Sequence, residues 1–122
     1  MEKPYTIQFE DRGDYLYVLV GGKKLTAEIS ARYWREIADA CDFLKRDKIM
    51  IEKDFLEPVS PPEMLQMGEY LGKLLPNYKI AFLDRHGNQT INELGKRVAR
   101  THEVKMQLFK NRKEAEQWLL VN

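Results

Sequence analysis

Apolar residues in this chain alternate between two periodicities, and this alternation constrains the fold more than any other feature. Short apolar runs typical of strands lie at residues 15–20, 49–51 and 79–84. After each run, apolar residues recur every three or four positions, as on one face of a helix. Repeated strand–helix units predict parallel pairing within one sheet. A length of 122 residues suits one core, so we predict a single domain spanning residues 1–122.

The first two strands depart from this pattern. Apolar and polar residues alternate over residues 5–10, and the short glycine-containing segment 11–14 leads directly into the run at residues 15–20. Two strands joined this closely predict an antiparallel β-hairpin. The glycine pair at residues 21–22 is expected to end the second strand. The predicted fold class is therefore α/β, with a mixed, mostly parallel five-stranded sheet, four helices and an N-terminal hairpin.

Polar residues mark the predicted start of each helix. The strongest signal is Ser60, which is followed by two prolines and by glutamate three positions on, as in a capping box. Thr90, again with glutamate three positions on, predicts a second capping box. Thr26 and Asn111 are the predicted N-caps of the first and last helices.

The segment before Ser60 is expected to be irregular, with a short third strand at residues 49–51 and a loop at residues 55–59. The single cysteine, Cys41, falls on the apolar helix face and is predicted to be buried and unreactive. The predicted core consists of Leu16, Val18, Val20, Trp34, Ile37, Ile49, Ile51, Leu71, Ile80, Phe82 and Val98.

Composition excludes several classes of protein. Hydrophobic residues make up 43% and charged residues 32% of the chain, which is typical of a globular protein and not of a disordered one. The longest apolar run is far shorter than the roughly 20 residues that a membrane span needs. One cysteine forms no internal disulfide and suits a reducing compartment. We expect a cytoplasmic protein without a membrane span.

Positive charge is concentrated near the C-terminus, although the formal net charge of the chain is only +1. Residues 96–113 contain seven lysines and arginines and one glutamate. Such a stripe suits an acidic partner or a nucleic-acid backbone, but a solvated helix face accounts for it equally well. No series of aromatic residues is interleaved with these charges to stack on bases, so we do not expect nucleic acid as a partner.

The element order resembles that of the STAS domain, the α/β fold of bacterial anti-sigma-factor antagonists and of the cytosolic tails of sulfate transporters. The shared features are the initial hairpin and the serine-capped helix after the third strand. The resemblance extends over residues 5–120 and is carried by residues 15–22, 49–63 and 80–85. The ending Phe109-x(5)-Ala115-x-x-Trp118-Leu119 is similar to that of uncharacterised bacterial STAS-like proteins.

The resemblance implies a role for Ser60. In the antagonists a kinase phosphorylates a serine or threonine of an Asp-Ser-Ser/Thr-Gly motif at this helix start, which releases the partner. Ser60 occupies the corresponding place, but the motif is absent. Pro61 and Pro62 remove two backbone N–H donors that would otherwise bind a phosphate. Ser60 is therefore a candidate phosphorylation site for which a structural cap is the favoured alternative.

No catalytic constellation accompanies this fold. His86 and His102 lie on either side of a predicted helix, so we expect no metal site, no cofactor and no catalytic residues. The favoured prediction is a non-enzymatic, cytoplasmic, STAS-like regulatory domain. It would bind a partner protein through the loop before Ser60 and the helix that begins there. The predicted partner-binding residues are Asp54, Glu57, Ser60, Met64 and Met67.

The alternative prediction is a site for a small polar or anionic ligand, or an enzyme site with His86 as a base. Ligands of open α/β sheets lie beyond the carboxyl ends of parallel strands. Asp54 follows the third strand, Asp84 and Arg85 follow the fourth, and Thr90 begins the next helix. Ordinary solvated loop residues are the competing interpretation. Homodimerisation through the hairpin edge or the second helix is compatible with either function.

Overall fold

The structure is a computed structural model that describes residues 3–121. Its five strands are β1 (Thr6–Asp11), β2 (Leu16–Lys24), β3 (Lys48–Glu57), β4 (Lys79–Asp84) and β5 (Lys105–Phe109). Its four helices are α1 (Ala27–Leu44), α2 (Pro61–Leu74), α3 (Gln89–Thr101) and α4 (Arg112–Leu120). The predicted number and order of elements are confirmed.

The strands form one sheet in the order β1-β2-β3-β4-β5, so β3 is central. The β1–β2 pair is antiparallel and the other pairs are parallel, which confirms the predicted mixed sheet. One face packs against α1, α2 and α3 through the larger apolar core. The other face packs against α4 through a smaller core that includes Met50, Leu83 and Leu119.

The predicted core is buried except at one residue. All of its other side chains lie in the larger core, and Cys41 is buried there, where burial raises the pKa of its thiol to about 12. Val98 is only half-buried. It lies where α3 crosses α2, and a Cβ added to Gly68 would come within 2.7 Å of its side chain. Val98 thus packs on a helix backbone at the rim of the core.

Two strands are longer than the sequence predicts. β2 continues past the glycine pair to Lys24, and β3 runs over ten residues where only residues 49–51 were expected. The extensions pair with each other, since Gly21 lies opposite Asp54 and Lys24 opposite Glu57. A Cβ on Gly21 would lie 2.6 Å from the Asp54 carbonyl oxygen. Gly21 therefore permits a close backbone approach and does not end the strand.

The predicted start of α3 is also wrong. The helix begins at Gln89, after Asn88 in the left-handed region at φ 48°, so Thr90 lies inside the first turn and caps nothing. The side chains of Asn88 and Asn92 both donate to the Asp84 carboxylate instead. A carboxylate from the preceding strand thus organises this end of the helix.

The other predicted caps are present. Thr26 accepts a hydrogen bond from the backbone N–H of Ile29, and Asn111 accepts one from that of Glu114. Ser60 and Glu63 form the reciprocal capping box. These three helix starts follow directly from local sequence because each needs only a side chain and a backbone group three residues away.

Candidate functional site

The central strand β3 carries three consecutive charged residues, at positions 52–54, that point alternately to the two faces of the sheet. Glu52 and Asp54 lie on the α4 face, and Lys53 lies on the face covered by α1, α2 and α3. Glu52 is only 6% exposed and Lys53 only 5%. Buried charges at the carboxyl ends of parallel strands are candidates for function, because burial of a charge is costly.

The carboxylate of Glu52 is fully engaged. The hydroxyl of Tyr17 and the Nε of Arg112 each donate to Oε1 over 2.8 Å, and the Nε of Arg85 donates to Oε2. Burial alone would raise the pKa of Glu52, but these three hydrogen bonds outweigh it and lower the pKa to about 2. Glu52 therefore stays ionised and holds two guanidinium groups in fixed positions.

Three predicted residues of the alternative ligand site meet beside Glu52. Arg85 Nη1 lies 3.3 Å from Asp54 Oδ2, and His86 Nε2 lies 2.7 Å from Asp54 Oδ1. Asp84 turns to the opposite face of the sheet, although it accepts a hydrogen bond from the backbone N–H of His86 over 2.9 Å. The strand-end residues are thus adjacent, but they divide between the two faces.

A hollow of about 370 Å³ opens next to these residues, at the N-terminus of α4. Three cationic side chains line it, and they come from Arg85, Lys110 and Arg112. The hollow is also lined by Glu52, Leu83, Asp84 and Asn111. Sequence reasoning placed Arg112 only in the basic stripe at residues 96–113 and did not predict its pairing with Glu52, because that contact joins residues sixty positions apart.

The Ser60 region has a structural role in the fold. Ser60 Oγ accepts a hydrogen bond from the Glu63 backbone N–H over 3.4 Å, and the Ser60 backbone N–H donates one to Glu63 Oε1 over 3.3 Å. The same carboxylate also accepts one from the backbone N–H of Ala27, which ties the start of α1 to the start of α2. A phosphate on Ser60 would lie beside the Glu63 carboxylate and would be repelled by it.

Two predicted partner-binding residues are not at the surface. Met64 and Met67 are 5% and 8% exposed and belong to the larger core. The cause is the close approach of α3, where a Cβ on Gly95 would lie 2.6 Å from the sulfur of Met64. Their expected contribution to a docking surface is therefore wrong.

The remaining predicted site residues are exposed but lie apart from the strand-end residues. Glu57 and Ser60 are exposed in the segment that connects β3 to α2. Thr90 lines a separate groove with Val59 and Pro61, between the starts of α2 and α3.

Lys53 is the residue that sequence reasoning missed most clearly. Its Nζ lies 5.0 Å from the centroid of the Phe82 ring, and among residues 3–121 no group accepts a hydrogen bond from it. Burial lowers its pKa to about 8, and the nearby Asp84 carboxylate only partly opposes that shift. Extending the period of two from Ile49 and Ile51 would have placed Lys53 on the inner face.

Known structures identify the architecture. A solved structure of an uncharacterised protein of the DUF3478 family from Shewanella loihica PV-4, described as having a SpoIIAA-like fold, matches with a TM-score of 0.56. The match covers 98% of each chain at 20% sequence identity. This chain has a SpoIIAA-like fold. The STAS-like resemblance is thereby confirmed at the level of the SpoIIAA-like fold. No family model matches the sequence, and neither does any curated protein.

Two further observations concern residues 3–121 alone. Within that range, no helix has both the length and the apolarity that a membrane crossing requires. The same residues contain no cluster of three or more histidine, cysteine, aspartate or glutamate side chains arranged to hold a metal ion.

Proposed function

We propose that this SpoIIAA-like domain binds a small anionic ligand in the hollow beside Glu52. The observation that carries the proposal is the attachment of two guanidinium groups, those of Arg85 and Arg112, to one buried carboxylate. Both arginine side chains are still 41% and 56% exposed at the mouth of the hollow. An arginine has five N–H donors, so each retains donors for a ligand.

The charges in the hollow support an anion. Glu52 and Asp84 already accept hydrogen bonds from protein groups, and Lys110 adds a third cation to the two arginines. The hollow also lies at the N-terminus of α4, where the helix dipole favours negative charge. Because Glu52 fixes Arg85 and Arg112 in advance, a ligand does not have to order those side chains on binding.

Inorganic phosphate is the probe that tests this proposal, with binding followed by two-dimensional NMR. We expect phosphate to shift the backbone resonances of Arg85, Lys110 and Arg112, and Arg112→Gln to weaken binding about tenfold, the loss of roughly one charged hydrogen bond. Lys113→Gln is the matched control, since Lys113 is exposed on α4 and does not line the hollow. If phosphate binding weakened equally in both variants, the interaction would be general charge attraction, and the proposed site in the hollow would be contradicted.

A protein partner bound through the β3–α2 segment is a second candidate function, consistent with a regulatory domain of the cytoplasm. The observation in its favour is exposed apolar surface on both sides of Ser60. Leu56 is 66% exposed and Leu65 is 43% exposed. Asp54 and Glu57 lie in β3 just before this segment and would supply charged contacts at the rim of such a surface. Ser60 would act there as a helix cap.

Comparative affinity capture from the source cytoplasm tests this second candidate. A protein retained by the wild type should be lost with Leu56→Asp and kept with Val121→Asp, because Val121 is equally exposed but follows α4. Thermal unfolding of both variants controls for folding. If every captured protein is retained equally by the two variants, the β3–α2 segment is not the interface.

A further inference from the structure

Lys53 lines a small, partly open cavity on the opposite face of the sheet from the Glu52 hollow. A cavity of about 30 Å³ lies between the sheet and the helices α1, α2 and α3. Its walls are mostly apolar and include Tyr33, Trp34, Met64, Met67, Leu71 and Phe82. A second cavity of about 10 Å³ adjoins Lys53 on another side. One water needs roughly 10–15 Å³ of such space, so the larger cavity admits a group of a few heavy atoms.

Two polar side chains, those of Lys53 and Asn92, line this cavity. The Nζ of Lys53 makes no hydrogen bond within residues 3–121 and lies 5.0 Å from the centroid of the Phe82 ring. The Oδ1 of Asn92 is buried without a partner among the same residues. The amide nitrogen of Asn92 donates to Asp84 Oδ2 over 2.8 Å and to the Gly87 carbonyl over 3.1 Å. Both of those partners are acceptors, so the amide orientation is settled and the oxygen is the atom left over.

Burial favours the neutral form of the Lys53 amine more strongly than the nearby Asp84 carboxylate favours the charged form. Asp84 from β4, Tyr33 from α1 and Lys96 from α3 are the ionisable residues near it, and α2 contributes only apolar residues to the lining. Lys96 is paired with Glu93 over 2.9 Å. Burial lowers the pKa of Lys53 against the weaker opposing effect of Asp84, so free amine is present near neutral pH. A neutral amine in an apolar cavity is the form in which lysine acts as a nucleophile.

We propose that Lys53 is a carbonyl-reactive amine and that its cavity takes a small aliphatic aldehyde or ketone, which condenses with Nζ to an imine. The nitrogen lone pair attacks the carbonyl carbon to form a C–N bond, and the π electrons move to the oxygen. The oxygen gains a proton as the nitrogen loses one, which gives a carbinolamine. The C–O bond then breaks, the oxygen leaves as water with one further proton from the nitrogen, and the C=N bond forms. No oxidant or reductant takes part.

Each feature of the cavity matches a stage of that reaction. Asn92 Oδ1 is an acceptor for the hydroxyl of the carbinolamine, the only hydroxyl the reaction creates. The apolar walls contact the alkyl part of the carbonyl compound. A neutral imine costs less to bury than an ammonium group, so condensation relieves the burial of the Lys53 charge.

Reductive trapping tests the proposal on the whole chain. The native protein is treated with acetaldehyde and cyanoborohydride at neutral pH, and ethylated lysines are mapped by peptide mass spectrometry. Lys53 should react about tenfold faster than the exposed Lys23, because the free-amine fraction of a lysine rises steeply as its pKa falls. Reaction of Lys53 no faster than that of Lys23 would overturn the proposal.

The size of the aldehyde distinguishes reaction in the cavity from reaction of a transiently opened chain. With benzaldehyde, which exceeds the cavity, the preference for Lys53 over Lys23 should disappear. An unchanged preference would place the reaction outside the cavity and would contradict this assignment. Lys53→Met is the folding-competent control and should lose the fast adduct without changing the labelling of Lys23.

Discussion

Glu52 and Lys53 are neighbours in β3, and they place side chains of opposite charge type, with similarly low solvent exposure, on opposite faces of one sheet. On the α4 face, three donors surround the Glu52 carboxylate and lower its pKa to about 2. On the other face, the Lys53 amine has an aromatic ring beside it and no hydrogen-bond acceptor within residues 3–121, and its pKa falls to about 8. One face thus stabilises its charge, whereas the other favours loss of the charge.

The difference arises from what covers each face. The α4 face receives side chains from the strand ends and from the start of a short helix, where Arg85 and Arg112 reach Glu52 from solvent. The other face is covered by α2 and α3, which meet closely through Gly68 and Gly95. The residues that α2 contributes beside Lys53 are apolar, and the nearby Lys96 of α3 pairs with Glu93. A buried charge without a partner costs stability, which is why we assign Lys53 a chemical role.

Replacement of Glu52 should produce the largest effect. Glu52→Gln removes the charge that three donors share and should destabilise the fold by about 3 kcal/mol, as expected when a buried, hydrogen-bonded ion pair loses one member. Urea denaturation at neutral pH measures the change. Asp54→Asn is the control, because Asp54 is 41% exposed and its ion pairs are near the surface. Similar losses in both variants would contradict the special status of Glu52.

Replacement of Lys53 should stabilise the fold, whereas replacement of Glu52 destabilises it. Lys53→Met keeps the length of the side chain and removes a buried amine, so it should stabilise the fold by about 2 kcal/mol near pH 7. Lys23→Met, at an exposed position, should change stability little. Destabilisation by Lys53→Met would show that the amine has a partner and would remove the contrast between the two faces.

In the wild type, the pH dependence of the free energy of unfolding should contain a contribution from Glu52 in acid and one from Lys53 in alkali. The pKa of Glu52 is lower in the folded chain, so its contribution is complete above the unfolded value of 4.5 and is lost as pH falls towards 2. The pKa of Lys53 is also lower in the folded chain, but for an amine this means a cost below about 8 that is relieved as pH rises.

Urea midpoints across this range measure the two effects. Between about pH 7 and pH 9.5 the relief at Lys53 amounts to about 2 kcal/mol. This alkaline gain in stability should be absent in Lys53→Met. The difference in stability between the wild type and Glu52→Gln should become smaller in acid. The alkaline rise should end near pH 10, since the buried Tyr5 and Tyr15, with pKa values raised to about 12, then favour unfolding. If stability still rose with pH in Lys53→Met, the rise would come from another titratable group.

The fold was predictable because it depends on local periodicity. Element order, sheet type, the buried core and the caps at Ser60 and Asn111 each need information from only a few neighbouring residues. The errors have a different origin. The strand ends near Gly21 and Phe55 are set by pairing between β2 and β3, and the start of α3 is set by Asp84. Contacts across the sheet therefore override local signals at element ends.

The candidate site was predictable only in part. Ligand sites of α/β sheets lie at the carboxyl ends of parallel strands, and on this basis Asp54, Arg85 and His86 were predicted to lie together, as they do. Sequence reasoning counted Arg112 in the basic stripe but did not predict its contact with Glu52, which depends on how α4 packs against the sheet. It misplaced Met64 because an apolar helix face looks the same in sequence whether it faces solvent or a neighbouring helix. Lys53 was missed since β3 was expected to end at Ile51.

Removal of one of the three hydrogen-bond donors to Glu52 should change stability least. It tests most specifically which groups keep the charge on the α4 face. Tyr17→Phe deletes the hydroxyl that donates to Oε1 and leaves both arginines in place, so the fold should lose about 1 kcal/mol, the usual worth of one hydrogen bond. The pKa of Glu52 should rise but stay below its ordinary value, because Arg85 and Arg112 still donate to it. Carboxyl-carbon NMR of Glu52 measures this directly. A pKa that returns to the ordinary value would show that Tyr17, and not the arginine pair, holds the charge on this face.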